Sequence, residues 1–290
     1  VELTDDLRPL AFSVAYRMLG SVAEAEDVVQ DALLRLHDAD DVANPHAFLT
    51  TVTTRLAIDV LRSARVRRET YVGPWLPEPL VEDSASRPVE DADTISLAFL
   101  TLLERLSPEE RAVLVLRDAF DYPFAEIAAV VGKTEANTRQ ILSRARRRLG
   151  DELPRFDPDP QERMALAARF LAAARDGDMA GLIALLAPDA VLTGDGGGKA
   201  VSIGRPLVGA AAIAHALRAF AVRGERWGVM LEPVVVNGQP GLRTLDPEGR
   251  LVNVMALEIS GGMIVGIASV LNPDKLAHLG PVSDLGLQRS

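Results

Sequence analysis

The chain of 290 residues contains no cysteine, which removes disulfides and every thiolate role, redox, nucleophilic or zinc-binding. Its four histidines lie far apart in the sequence, so no metal set and no cofactor are expected. No apolar run reaches about 18 residues, and the start lacks a basic region ahead of an apolar one. Neither a membrane partner nor a secretion signal is expected, and the cytoplasm is the expected location. The formal net charge of -10 argues against nucleic-acid affinity spread over the whole protein. What is present is enough apolar residue for two or three domains with cores of their own.

The charge is uneven. Arginines gather at Arg62, Arg65, Arg67 and Arg68, and again from Arg139 to Arg148, while acids gather at 24–41 and 78–93. The second basic cluster sits in SPEERAVLVLRDAFDYPFAEIAAVVGKTEANTRQILSRARRRL, from Ser107 to Leu149. Ser107-Pro108-Glu109-Glu110 is a capping box with proline at the first helical position, so a helix starts there. Asp121-Tyr122-Pro123 ends that helix and starts another, which stops at Val131-Gly132. Gly132-Lys133-Thr134 supplies the short corner of a helix-turn-helix, and Thr134 can cap the last helix. On that helix Thr138, Leu142, Ala145 and Leu149 recur at inward spacing. Arg139, Gln140, Ser143, Arg144, Arg146 and Arg147 are left outside, where guanidinium groups can reach phosphates and guanine edges in a major groove. A solvated basic face is the competing reading; the turn chemistry and the one-sided charge favour DNA.

Residues 3–70 read as all-helical. Leu7, Leu10, Val14 and Met18 form one stripe, ended by Gly20. Ser21 opens an acidic amphipathic helix with Val28, Ala32 and Leu36 inward and Asp27, Gln30, Asp31 and Leu34 outward. After the loop from Asp38 to Pro45, Phe48, Val52, Leu56 and Val60 repeat at fours as a core stripe. Thr51, Thr54, Arg55, Arg62, Arg65 and Arg68 fall on the polar side. The segment 70–94 is rich in proline and acids and reads as an extended, flexible linker. Tyr71 and Trp75, set among prolines, are expected to dock on a surface.

The succession AEAEDVVQDALLRL, AFLTTVTTRLAIDVLRSARVRRE and the helix-turn-helix resembles bacterial sigma factors of the extracytoplasmic-function group, over about the first half of the chain. The resemblance implies two all-α sigma domains, at 1–70 and 95–153, joined by the linker 71–94. It implies that Asp27, Gln30, Asp31, Leu34 and Arg35 meet core RNA polymerase at the β′ clamp, with the β flap as a further contact. Arg55, Arg62 and Arg65, with the loop around Asn44, would approach the promoter −10 single strand. Arg139, Gln140, Ser143, Arg144 and Arg147 would approach −35 double-stranded DNA. Thr54 stands where the family commonly has asparagine, and Ile141 where many members have a basic residue.

Beyond a second linker, Pro154 to Pro160, the pattern turns α+β. Helices are expected at Glu162–Arg175, Met179–Leu186 and Leu207–Val222. Strands are expected at Ala190–Thr193, Ala200–Ile203, Trp227–Val236, Leu242–Leu245, Leu251–Ile259 and Met263–Leu271, with a turn at Ser260-Gly261-Gly262. Helices followed by a curled antiparallel sheet suggest a helix-lined cone over 161–280. ERMALAARFLAAARDGDMAGLIALLAPDAVLTGDGGGK resembles the SnoaL-like family of the NTF2-like superfamily, some members of which are cyclases or isomerases. Sigma factors with such a tail share three marks. They stand here as Trp75-Leu76-Pro77-Glu78-Pro79, Asp195-Gly196-Gly197-Gly198-Lys199 and Asn272-Pro273-Asp274-Lys275-Leu276. By hypothesis the cone is a built-in regulator: these three, apolar and glycine-rich and outside any evident catalytic set, are expected to pack together and set the spacing of the two DNA modules. Read from the residues alone, GDGGGK could cradle a phosphate, but its glycines more readily let a tight loop press closely on another domain. Asp195 and His215 are the candidates for an acid–base pair, though their spacing does not mark one. The reading is a promoter-recognition subunit and not an enzyme, with a small hydrophobic ligand in the cone left open.

Overall fold

The computed structural model describes residues 2–83, 95–150 and 159–286. The chain divides into two compact units, Val1–Thr70 with Leu100–Leu153, and Tyr71–Phe99 with Pro154–Ser290.

The first unit is all helix. Its opening three helices are α1 (Glu2–Leu19), α2 (Val22–His37) and α3 (Pro45–Glu69). Gly20, at φ 65°, ends α1, and Ser21 caps α2 by accepting the Glu24 N–H at 3.2 Å. Leu7, Val14, Met18, Val28 and Ala32 are buried, as their spacing requires. The expected stripe of α3 is corrected. Phe48, Val52, Leu56 and Val60 are half-buried, and the fully buried row lies one residue on, at Leu49, Thr53, Ala57 and Leu61. Both rows repeat at fours. The row with threonine and alanine won because small side chains let α1 and α2 approach closely. Thr54, expected on the polar side, is 0% exposed.

The chain resumes with α4 (Leu97–Leu103), α5 (Pro108–Leu114), a π-helical turn at Val115–Ala119, α6 (Phe124–Val131) and α7 (Glu135–Leu149). The capping box is formed: Ser107 Oγ accepts the Glu110 N–H at 3.3 Å, and Glu110 accepts the Ser107 N–H at 2.9 Å. Gly132, left-handed at φ 65°, closes α6, and Thr134 caps α7. Arg111 ties α5 to α1. Its buried guanidinium donates to the carbonyls of Met18 at 2.8 Å and Leu103 at 3.1 Å and pairs with Glu104 at 2.7 Å. Burial lowers its pKa to about 9, which leaves it charged at neutral pH.

The second unit is α+β. Its elements are β1 (Val81–Asp83), α8 (Pro160–Asp176), α9 (Met179–Leu185), β2 (Leu186–Asp195), β3 (Leu207–Val208), α10 (Ala210–Trp227), β4 (Met230–Val236), β5 (Gln239–Leu245), β6 (Leu251–Ser260), β7 (Met263–Val270) and α11 (Pro273–Leu276). The strands form one sheet in the order β1-β4-β5-β6-β7-β2-β3. The expected antiparallel sheet is corrected at one pair: β2 runs parallel to β7, and every other neighbouring pair is antiparallel. One sheet face and the helices α8, α9 and α10 enclose a core that includes Phe170, Leu182, Ile213, Leu257 and Ile267.

Several boundaries differ from the sequence expectation; β2 starts at Leu186 and β5 at Gln239, earlier than expected. Leu207 and Val208 are a strand paired with Leu192 and Val191, and α10 begins only after Gly209 at φ 101°. It then runs to Trp227, so β4 starts at Met230. Ala200–Ile203 is loop: its backbone folds back on Gly196, whose carbonyl accepts the Ala200 N–H at 3.0 Å. The Ser260 turn is formed, with Gly261 and Gly262 both at positive φ, as a two-residue hairpin of this type demands.

The linker is extended but, over 71–83, not a free tether. Val81, Glu82 and Asp83 pair with Val236, Val235 and Val234, so this stretch is the edge strand of the second unit's sheet. The remaining linker residues 84–94, and 154–158 of the second linker, lie outside the described residues. Asp159 caps α8 by accepting the Gln161 N–H at 2.8 Å.

Glu258 of β6 lies opposite Gly266 of β7, and burial pushes its carboxyl up from 4.5 to about 7. An acid raised in the folded state binds more protons there than when unfolded, so its contribution to stability is full below 4.5 and falls as pH rises towards 7. In chemical denaturation from about pH 4.5 to 7.5, Glu258→Gln should flatten that decline relative to the unsubstituted chain.

Candidate functional site

Three surfaces carry the residues singled out by sequence. The first is the outer face of α2. Asp27, Gln30, Asp31, Leu34 and Arg35 are all exposed, because Ala25, Val28, Val29 and Ala32 occupy the buried face. Leu34 is 54% exposed, an apolar side chain on an otherwise charged and polar face.

The second is the polar side of α3. Asn44 caps this helix, its Oδ1 accepting the Ala47 N–H at 3.1 Å. Arg55 does not face open solvent alone. It donates through Nε to the Val130 carbonyl at 3.0 Å and through Nη2 to the Ala129 carbonyl at 2.9 Å. These are the last carbonyls of α6, unpaired within their own helix and bearing the negative end of its dipole. Arg62 pairs with Glu109 at 2.9 Å and with Asp59 at 3.2 Å. Thr50 shares a hydrogen bond with Tyr122 at 2.9 Å. The helix expected at the −10 strand thus packs against the helix-turn-helix inside one unit. The side chain of Arg65 lies outside the described residues.

The third is α7. Thr138, Ile141, Leu142, Ala145 and Leu149 are buried, and Arg139, Gln140, Ser143, Arg144 and Arg147 are exposed. Ile141 belongs to the core of the motif, which explains an apolar residue at that position. The arginines are not equivalent. Arg146 pairs with Asp118 at 2.6 Å and Arg148 with Glu110 at 2.7 Å; both fasten α7 to the preceding helices. Arg139 lies 4.3 Å over the Phe124 ring and pairs with Glu135 at 2.9 Å. Arg144 and Arg147 meet no acidic partner among the described residues.

The second unit gathers the three short marks at one point, around the Asp195 carboxylate. Asp195 is 0% exposed, and its oxygens are saturated. Oδ1 accepts the Tyr71 hydroxyl at 2.5 Å and the Gly197 N–H at 3.0 Å; Oδ2 accepts the Leu76 N–H at 2.8 Å and the Lys275 ammonium at 2.7 Å. Lys275 also donates to the Leu76 carbonyl and lies 4.2 Å over the Trp75 ring and 4.9 Å over the Tyr71 ring. Asn272 donates to the Tyr71 hydroxyl at 2.9 Å and caps α11 through Asp274 N–H, where Pro273 takes the first helical position. Leu76 and Pro77 are buried. The Tyr71 hydroxyl is driven upward in pKa, first by burial and then by the Asp195 carboxylate, so it stays a neutral donor.

The glycines of the loop explain themselves here. A Cβ on Gly197 would lie 2.3 Å from Asn272 Nδ2, one on Gly198 3.0 Å from Val72, and one on Gly196 2.2 Å from the Ala200 carbonyl. Gly197 and Gly198 also sit at φ 58° and 71°. Lys199 pairs with Asp274 at 2.5 Å. Tyr71 and Val72, in the strap formed by residues 71–79, fill the loop, and the Gly197 N–H and the Lys199 ammonium are spent on Asp195 and Asp274, which leaves no cradle for a phosphate. Asp195 and His215 are not brought together: His215 is exposed on α10, its Nδ1 against the Ala211 carbonyl at 2.7 Å.

Sequence reading missed Asn237, which grips the linker at Leu80 and the residue just past it, Ile95. At φ 50° in the β4–β5 turn, it accepts the Leu80 N–H at 2.9 Å and donates to the Ile95 carbonyl at 3.1 Å. Asn-Gly marks the hairpin, but no local signal says what the side chain grips. Among the described residues no group of three or more His, Cys, Asp or Glu side chains could hold a metal ion. No described helix is long and apolar enough to cross a membrane.

The sigma-70 region 2 family model matches residues 3–67 and the sigma-70 region 4 model matches 96–149. The chain is 40% identical over 286 residues to the ECF RNA polymerase sigma factor SigJ of Mycobacterium tuberculosis, covering 93% of this chain and 90% of that one. It is 30% identical to a probable ECF RNA polymerase sigma factor SigI of the same species, with 94% and 93% covered. The crystal structure of Mycobacterium tuberculosis extracytoplasmic function sigma factor SigJ superposes with a TM-score of 0.78 at 36% identity, covering 95% of this chain and 97% of that one.

Asp195→Ala would leave the Lys275 ammonium buried without its counter-charge and the Leu76 N–H without an acceptor, at a cost of about 3–5 kcal/mol. The expected outcome is a lowered denaturation midpoint for the second unit and a red-shifted Trp75 emission as the strap lifts. An unchanged spectrum would show that the strap is held by other groups.

Proposed function

The chain belongs to the extracytoplasmic-function RNA polymerase sigma factors, and from that premise we propose a division of labour among its surfaces. The α2 face of Asp27, Gln30, Asp31, Leu34 and Arg35 binds the β′ clamp of core polymerase, and the helix-turn-helix engages the β flap. Asn44, Arg55, Arg62 and Arg65 meet the −10 strand. Arg139, Gln140, Ser143, Arg144 and Arg147 meet the −35 duplex. The protein works where polymerase works, in the cytoplasm.

The observation that carries the −35 assignment is the split of the arginine run. Arg146 and Arg148 are engaged in intramolecular pairs, whereas Arg144 and Arg147 stand without acidic partners among the described residues, on the face opposite a buried apolar row. Guanidinium groups so placed on a helix of this motif are suited to phosphates and guanine edges. The bonds from Arg55 to Ala129 and Val130 support a second point: in this arrangement the −10 residues are engaged by the −35 module, and both must part before DNA is read.

The second unit is the regulator of that parting. It holds residues 71–83, the segment joining the two DNA modules, by the Asp195 clamp and by β1. A linker held over 71–83 limits how far its modules can travel, and a shift of a few kcal/mol between held and released linker is enough to change activity.

Two measurements test these roles. Arg144→Ala with Arg147→Ala should weaken promoter binding across sequences and lower the slope of log K against log salt by about 0.9 for each phosphate no longer neutralised; an unaltered slope removes the −35 assignment. In transcription with purified core polymerase, Asp195→Ala should change promoter output relative to the unsubstituted chain. Equal output at equal protein would end the regulatory reading.

A further inference from the structure

Within the second unit, the sheet and the helices α8 and α10 surround a cavity of about 400 Å³, inside the range of about 300–1,000 Å³ usual for small-molecule sites. Its wall includes Phe170, Leu192, Leu217, Phe220, Leu242 and Met255. The charged groups that touch it, Arg175, Arg223 and Glu225, are exposed. An interior without buried charge favours a neutral guest, since an ion would lose its hydration without a counter-charge.

One polar row crosses this apolar wall, on three adjacent strands. Thr244 Oγ1 of β5 donates to Asn253 Oδ1 of β6 at 3.3 Å, and Asn253 Nδ2 donates to Ser269 Oγ of β7 at 2.7 Å. All three residues line the cavity. The relay has a direction. The amide accepts at one end and donates at the other, so Ser269 Oγ is the final acceptor and its own hydrogen is left over. Among the described residues that hydroxyl meets no acceptor, although Ser269 is only 6% exposed. A buried donor of this kind is suited to a guest oxygen.

The cavity and the clamp share two strands. β2 gives Leu192 and Gly194 to the wall and Asp195 to the clamp. β7 gives Ser269 to the wall, and the chain then runs through Leu271, also in the wall, to Asn272 and Lys275. The Asp195 carbonyl accepts the N–H groups of Leu271 at 2.7 Å and Asn272 at 2.9 Å, which ties the two strand ends together directly beside the cavity.

We propose that this cavity binds one neutral, mainly apolar organic molecule through a single accepting oxygen, held by the Ser269 hydroxyl, and that its occupancy changes the clamp's hold on residues 71–79. The second half rests on the clamp being the regulator described above; the first does not.

The probe is 6-propionyl-2-dimethylaminonaphthalene, a neutral aromatic ketone whose emission moves to the blue in apolar surroundings, titrated into the full chain. Saturable one-to-one binding is expected. Ala221→Trp, which fills the cavity from α10, should weaken it about tenfold or more. Ala174→Phe does the same from α8 if the first variant loses its cooperative unfolding. Ser269→Ala should weaken binding about fivefold, as the loss of one neutral hydrogen bond does. Non-saturable binding, or binding that the filled variants leave unchanged, overturns the site. Amide exchange over 71–80 should change by about twofold or more on saturation with the probe; identical exchange overturns the coupling. Neither arm uses polymerase or promoter, so failure here is distinct from failure of Asp195→Ala to alter transcription.

Discussion

A carboxylate with no solvent contact and a lysine on an adjoining helix organise the second unit. Asp195 and Lys275 are each unfavourable to bury alone, and their attraction offsets that penalty only because every remaining oxygen and proton finds a partner. Those partners include the Leu76 amide and carbonyl, 119 residues from Asp195 and 199 from Lys275 in the chain. The pair therefore acts as a specificity device: a strand laid at this place with no backbone group in register would leave a charge unsatisfied. The rings of Tyr71 and Trp75, close to the ammonium, complete its surroundings with faces that suit a cation.

The first unit obeys a related constraint. The ends of helices expose carbonyls, and in this protein the α6 carbonyls are met by Arg55 from a helix of the other DNA module. Arg111 does the same service for α1 and α4, from a position sealed off from water. The two arginines differ in kind. Arg111 is buried and belongs to the core, whereas Arg55 is exposed and screened by solvent, so the second is the easier to release.

Local chemistry was legible in the sequence wherever a residue acts on its near neighbours. The Ser107 box, the Gly132 corner, the Thr134 cap and the arginine face of α7 are all settled within a turn or two of helix. Long-range choices were not. The α3 row could be read one residue early because Phe48 and Leu49 both start a four-residue repeat, and only the helices packed against it decide. Leu207 and Val208 look helical beside the alanine run of α10; pairing with β2 makes them a strand. The three short marks of the second unit were found by resemblance, and nothing in their spacing says that Leu76 should offer both backbone groups to one ion pair. Asn237 was invisible for the same reason.

The edge strand β1 belongs by chain order to the linker between α3 and α4, and by hydrogen bonding to the sheet of the second unit. Such an arrangement makes the tail and the linker a single heritable cassette. A chimera that grafted 159–286 onto a foreign sigma chain would carry a β4 edge with no covering strand and an ammonium whose carbonyl partner was left behind. Exchange between relatives that respects this architecture must move 71–83 together with the tail, or rebuild both halves of the clasp at once.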